Sequence, residues 1–506
     1  MKRTTLSLIA VAATLAAVTG AAALTAPDGT VPESLIGTAR LPVERTALLC
    51  PAPSGSEVSE TTYTSYTPGA KSVPGAKEQR TAAKAELKPA PLAPPPGEQP
   101  AKNPKALKAP ATVTRPGTPV NAEAKGAEAP ALNGSASGGL APGWTVQQTT
   151  VVPAGGARGL LGVTCTAPDT DFWFPAASTA KQRQDYVHLT NPDDGTATAD
   201  IELYGPAGPL KSLSAEGIPV PAHSTVPVLI STLTSDAAQQ DLTIHVTTRS
   251  GRVGAVVGAA DDTAGADWLP ASADPSGTAV LPGIPADATS VRLVAFAPGD
   301  ADADLKVQLV TPTGTIVPAS ADSLHVKSGM TAAVDLPDLT RGEPGSLLLT
   351  PSDPKKPVPV VAALRVARGK GTQQEIAFIP AAAPIEARAT VADNRAKGAT
   401  LALTAPAAGA EVRITASAGS GGGTPVTKTV TLKGGTTTSL AAPVPDGLKG
   451  SYALTVERLS GGPVHASRLL ELPEDGIPMF TVQTFADDHG TVEVPDARQD
   501  LTVLDD

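Results

Sequence analysis

From Thr196 to Tyr204 the chain reads TATADIELY, which puts Ala197, Ala199, Ile201 and Leu203 on one side of an extended backbone and Thr198, Asp200, Glu202 and Tyr204 on the other. Leu242, Ile244 and Val246 alternate in the same way with Thr243, His245 and Thr247. Period-two alternation is the pattern of a half-buried antiparallel strand. After Trp144 such runs are short, Gly and Pro clusters punctuate them, and no amphipathic helical window of useful length interrupts them. The pattern predicts an all-β fold.

The runs also recur. WFPAAS at Trp173 returns as VLPGIP at Val280 and as FIPAAA at Phe378. Behind each follow further segments in a fixed order: YVHLTNPDD, VRLVAFAPGD and ARATVADNRAKG, then DIELYGPAG, LKVQLVTPTG and EVRITASAGSGG. A repeat of about 100 residues with turn signals every 8 to 12 residues predicts three tandem immunoglobulin-like or fibronectin-like β-sandwiches. Their expected spans are 140–272, 273–375 and 376–506. The runs after residue 477 are expected to complete a sheet.

The preceding part is different. Lys2 and Arg3, the uncharged apolar run Leu6 to Leu24 and Ala21-Ala22-Ala23 make residues 1–26 a signal peptide or an N-terminal membrane anchor. A short strand segment is expected over 27–68. From 69 to 139 the chain is rich in Pro, Ala and Lys and nearly devoid of aromatic and β-branched residues. That composition predicts a disordered linker, because too little apolar surface is available to offset the entropy of ordering. Between residues 71 and 130 it holds 8 Lys and 2 Arg against 5 Glu, although the whole chain of 506 residues carries a net charge of -10. This cationic stretch reads as a solvated spacer or as a stalk drawn to anionic wall polymers.

Two cysteines, Cys50 and Cys165, each end an aliphatic run, and in an oxidising compartment they are expected to form one disulfide. Aromatics are few, with 3 Trp, 5 Tyr and 6 Phe, so the cluster Phe172-Trp173-Phe174 stands out. Its slot is filled by Leu281 in the second copy and Ile379 in the third, which predicts a core or inter-domain plug. The rival reading makes Phe172, Trp173, Tyr186 and Tyr204 a glycan-contact surface, since aromatic faces stack on sugars.

Catalytic and metal chemistry find little purchase. His188 and His245 are expected to face solvent, opposite the alternating aliphatics. Asp300, Asp302 and Asp304 resemble the start of a calcium loop, but Leu305 and Thr311 stand where that loop needs Gly and an acidic residue. The Gly-rich runs at Gly419–Gly423 and Arg368–Thr372 lack the strand-loop-helix context of a phosphate loop and read as hairpin loops. No catalytic, cofactor-binding or metal-binding residue and no cofactor is assigned.

Trp173-Phe174-Pro175, Asn191-Pro192, Gly205-Pro206-Ala207-Gly208 and Gly251-Arg252-Val253-Gly254-Ala255 resemble an uncharacterised family of secreted or membrane-tethered actinobacterial proteins, a domain of unknown function. The resemblance covers about 40–55 and 144–500, implies an envelope role and supplies no catalytic residues to carry over. The expected function is that of a non-catalytic extracytoplasmic envelope scaffold or interaction protein. A wall-glycan-binding module and a secreted enzyme with an unrecognised site are the alternatives. Expected partners are wall polysaccharide or envelope proteins, with no nucleic acid, and with membrane contact only through the N-terminal segment.

Overall fold

The computed structural model describes residues 39–69, 83–94, 112–319 and 321–494. The predicted signal or anchor segment, much of the linker and the C-terminal LTVL run lie outside the described residues. Among the described residues no helix is long and apolar enough to cross a membrane.

The fold is all-β. Its two units are a terminal ribbon and a large body, Val43–Gly490. In the ribbon, β1 (Ala39–Pro42) pairs with β37 (Thr491–Val494), and Arg40 meets Glu493 across the pair.

The body is built from four successive modules. Module 1 holds β2 (Arg45–Cys50), β3 (Glu60–Tyr66), β4 (Lys84–Ala90), β5 (Val120–Lys125), β6 (Ala131–Ser137), β7 (Thr145–Val152) and β8 (Gly159–Thr164). Module 2 holds β9 (Asp171–Ala177), β10 (Arg183–Thr190), β11 (Ala197–Gly205), β12 (Gly208–Pro209), β13 (Ile218–Val220), β14 (Thr225–Leu229), β15 (Leu242–Ser250), β16 (Gly254–Asp261) and β17 (Gly265–Leu269). Module 3 holds β18 (Ala279–Ile284), β19 (Ser290–Phe296), β20 (Ala303–Val310), β21 (Thr315–Ile316), β22 (Ser323–Val326), β23 (Thr331–Asp335), β24 (Gly345–Pro351), β25 (Val361–Arg368) and β26 (Glu375–Pro380). Module 4 holds β27 (Arg388–Asn394), β28 (Ala399–Ala405), β29 (Ala410–Ala416), β30 (Gly422–Thr424), β31 (Val426–Leu432), β32 (Thr436–Ala441), β33 (Asp446–Lys449), β34 (Tyr452–Gly461), β35 (His465–Glu471) and β36 (Phe480–Thr484).

One topology runs through all four. The sheet β14-β10-β16-β17 of module 2 has its counterparts in β5-β3-β7-β8, β23-β19-β25-β26 and β32-β28-β35-β36. The facing sheet is β9, β15 and β11 in module 2, and β2-β6-β4, β18-β24-β20 and β27-β34-β29 elsewhere. All pairings within these sheets are antiparallel. Each module closes a core between its two sheets, where the period-two aliphatics meet: Ile201, Leu203, Ile244 and Val246 in module 2, Leu305, Val307, Leu347 and Leu349 in module 3, Leu401, Leu403, Val412 and Ile414 in module 4.

Three expectations need correction. The segment 69–139 is not a linker throughout, because β4, β5 and β6 lie within it and are structural strands of module 1. Lys84, Lys88 and Lys125 sit exposed on these strands while Ala85, Leu87, Ala122 and Leu132 fill the core, so a composition average hid a working alternation. The first sandwich does not begin at 140, since β7 and β8 belong to module 1 and module 2 starts with β9. Finally, Phe378-Ile379-Pro380 lies at the end of β26 in module 3, in the place of Trp268-Leu269-Pro270 at the end of β17. The strand matching β9 is β27. A left-handed residue breaks the ladder at the same point in all three, at Ala176 (φ 79), Gly283 (φ 89) and Asp393 (φ 55). Gly283 adopts that geometry without a Cβ penalty, whereas Ala176 and Asp393 each cost about 1–2 kcal/mol.

Cys50 and Cys165 form a disulfide across a sequence separation of 115, joining the end of β2 to the residue after β8 inside the module 1 core. It closes the module around its long insertions, where the unfolded chain has most entropy to lose. Replacing both cysteines with Ala should lower unfolding free energy by about 2–5 kcal/mol, read by denaturant titration. An unchanged midpoint would show that packing alone holds module 1 together.

Candidate functional site

The last strands of the modules form a closed cycle: β8 packs on β17, β17 on β26, β26 on β36, and β36 on β8. Apolar clusters seal each step. Leu161 and Val163 meet Val256 and Trp268 between modules 1 and 2. Trp173, Phe296 and Val361 meet between modules 2 and 3, and Phe480 and Val482 join the module 3 core from module 4. Leu160 packs with Leu470 and Met479, and Tyr66 with Ala392 and Ala453, between modules 4 and 1.

At the centre of the cycle the lining becomes polar. β8 is hydrogen-bonded to β7 along one edge, so the N–H groups of Leu160 and Gly162 point the other way. Leu160 donates to Glu375 Oε1 of β26 at 3.0 Å, and Gly162 donates to Asp267 Oδ1 of β17 at 3.0 Å. The two carboxyl groups thus complete a buried strand edge from two other modules. Asp267 Oδ1 also accepts the Trp268 N–H at 2.8 Å. Space is made by glycines: a Cβ on Gly159 would lie 2.6 Å from Glu375 Oε1, one on Gly265 2.7 Å from Oε2, and one on Gly162 2.8 Å from Thr481 Oγ1.

Burial dominates the electrostatics here. It pushes Glu375 up to about 8, against the opposing pull of the Leu160 N–H and of Arg158. Asp267 is driven well above the usual carboxylate range by the same desolvation, reinforced by Glu375. Arg468, wholly buried on β35, donates to the carbonyls of Ala392 and Asp393 at 2.8 and 2.9 Å and pairs with Gln483 Oε1. Burial brings its guanidinium down to about 10. Arg368 bridges Asp287 and Glu471, both at 2.7 Å, and lies over the Phe480 ring, tying module 3 to module 4. The Arg368–Thr372 loop is therefore part of a junction.

The sequence-predicted aromatic residues do not form one surface. Phe172 is 7% exposed in the module 2 core. Trp173 is 8% exposed, stacked on His245 with ring centroids 3.6 Å apart and on Phe296 at 5.3 Å. Tyr204 leans on Phe296 and bonds Glu202 at 2.9 Å, and it lines a shallow groove with Asp200, Lys211, Glu216 and Arg249. Tyr186 lies elsewhere, beside His188 on β10. His188 and His245 are not the solvent-facing residues that alternation suggested: Trp173 stacks on His245, which Asp171 and Glu202 flank, and Trp268 packs on His188. His188 sits edge-on to Trp268, and burial brings it down to about 4. Asp302 and Asp304 flank His325 at 3.6 and 2.7 Å. Among the described residues no group of three or more His, Cys, Asp or Glu is placed to hold a metal ion.

Glu375 and Asp267 were missed by sequence reasoning. The only signal was a carboxylate inside an otherwise apolar strand, in EIAFIP and GADWL. Residues 120–443 match the model of the family of unknown function DUF5719, and the chain belongs to that family. No curated protein and no solved structure was found to match it.

Because the folded state favours neutral Glu375, its contribution to stability is present below about pH 4.5 and is lost as pH rises through about 8. Asp267 acts in the same direction. The unfolding free energy should fall between pH 5 and pH 9, and Glu375→Gln should remove on the order of 2–4 kcal/mol of that slope; a slope unchanged by the substitution would contradict the burial argument. Trp173→Ala should cost about 3–5 kcal/mol in thermal or denaturant unfolding, whereas a variant as stable as the parent would make the indole a surface group.

Proposed function

We propose that this DUF5719 protein is a non-catalytic scaffold or interaction protein of the cell envelope, exposed outside the cytoplasm through its N-terminal signal or anchor segment. The observation that carries the reading is the use to which its most perturbed ionisable groups are put. Glu375 and Asp267 spend an oxygen each on the N–H groups of β8, Arg468 donates to two backbone carbonyls and to Gln483, and Asp185, raised by burial, is held by Arg183 at 2.7 Å. Shifted carboxyl groups are a mark of catalytic sites, but structural networks shift them as well. Here each is bound into a junction between strands or modules. The disulfide is compatible with an oxidising compartment. A closed body with fixed outer faces suits the presentation of surfaces to a partner.

A second reading, glycan binding, draws support from the groove of about 260 Å³ beside Tyr204, where carboxylates and Arg249 offer both acceptors and donors to hydroxyl groups. Tyr204→Phe should weaken any such binding without unfolding module 2, and unaltered binding would remove Tyr204 from the contact.

The test of the main reading has two parts. The full chain incubated with purified cell walls should release neither reducing ends nor free amino groups, and an accumulation of either would overturn it. A cysteine placed at exposed Asp353 should be labelled by an impermeant maleimide in intact cells. Labelling only after lysis would overturn the extracytoplasmic placement.

A further inference from the structure

The outer face of module 1 is built in three strands, β2-β6-β4, with β6 in the middle. The register puts Arg45, Ser137 and Lys84 in one row across the sheet, and Ala47, Ser135 and Glu86 in the next. Side chains two apart share a face, so Ser135 and Ser137 on the central strand lie between long charged side chains on the outer strands. The result is a trench about 10 Å wide, two strand spacings, with a floor of small hydroxyls. Arg252, from the loop between β15 and β16 of module 2, reaches the same cavity of about 480 Å³.

Its charge is positive. Lys84 and Lys88 share one carboxylate, Glu86, with Lys88 at 3.0 Å, so the pair of lysines leaves one charge in excess. Arg252 is matched by Asp193 at 3.0 Å, and Arg45 has no ion-pair partner among the described residues. The stretches joined to the two ends of β4 continue the bias in sequence, with Lys71, Lys77 and Arg80 before it and Lys102, Lys105 and Lys108 after it, against Glu78 and Glu98.

We infer that this trench binds a linear phosphodiester-bearing polymer of the envelope, laid along β6 with its phosphates between Arg45, Lys84 and Arg252. The cations are exposed on both walls of an open trench, which suits several weak contacts to a passing chain better than a single tight anion. The two non-bridging oxygens of a phosphodiester can accept from a floor hydroxyl and a wall guanidinium together, and its charge recurs at every unit of the chain. The lining lacks the aromatic rings on which single-stranded nucleic acid stacks. The inference deepens the interaction-protein reading and rests on its envelope placement.

The test is binding of the full chain to soluble poly(glycerol phosphate), with polygalacturonate, dextran and phosphatidylglycerol vesicles as comparators. Poly(glycerol phosphate) should bind best, with affinity falling as salt rises. Arg45→Glu and Lys84→Glu should each weaken binding about tenfold and lower the log–log salt slope by about one. Ser135→Gln, which fills the trench without changing charge, should weaken it as well. Lys355→Glu, an exposed charge change in module 3, should not, and thermal midpoints certify that all four variants are folded. Equal loss in Lys355→Glu, or parental binding by Arg45→Glu and Ser135→Gln, would overturn the site. Tighter binding to polygalacturonate or to the vesicles would overturn the phosphodiester polymer as its occupant. No binding of poly(glycerol phosphate) by the folded chain overturns the inference and leaves the scaffold reading to the wall-digestion and labelling experiments.

Discussion

The arrangement depends on how one strand edge is finished. β8 closes the sheet of module 1, and its free side would carry unpaired N–H groups into a packed interior. An unpaired buried donor costs about 1–3 kcal/mol, and an open edge also invites pairing with another chain. Here Glu375 of module 3 and Asp267 of module 2 accept hydrogen bonds from those N–H groups. Two carboxylates from two other modules therefore meet on one strand of the first, and the cycle of β8, β17, β26 and β36 closes around them. The glycines at 159, 162 and 265 follow from this, because a Cβ at any of them would collide with the acceptors or their neighbours.

Closure also explains the distribution of the scarce aromatic residues. A sandwich has an inside and two outsides, and in a cycle some of the outsides become interfaces. Trp173 and Trp268 lie on such faces, packed on His245 and His188 respectively, and Phe296 and Phe480 fill the neighbouring steps. The outer face of module 1 along β6 retains a charged, open character. The molecule thus separates its surfaces by chemistry: apolar and aromatic where modules meet, mixed in charge beside Tyr204, cationic over β6.

Strand type and the repeat were legible because alternation is local. Ile201 and Leu203, or Leu242 and Ile244, announce their burial by spacing alone, and the three-copy order of segments followed from turns such as Asn191-Pro192. Two things were not local. Module 1 was masked by composition: KAELKPA buries only Ala85, Leu87 and Ala90, and its lysines dominate any average. The third repeat was misphased by one strand because WLPAS, FIPAA and WFPAA share a pattern of apolar residue, apolar residue, proline and alanine, although the first two end β17 and β26 while the last lies in β9. The central carboxylates were invisible for a related reason. A single acid in a strand reads as solvent-facing, and only the closure of the cycle shows that Glu375 and Asp267 point at the backbone of a distant module.

Amide hydrogen exchange at Leu160 and Gly162 tests this closure most directly, since both N–H groups lie on the free edge of β8. Closure requires protection at both comparable with that of Leu161 and Val163, which face β7. Exchange at Leu160 and Gly162 as fast as at an open sheet edge, with Leu161 and Val163 still protected, would contradict it.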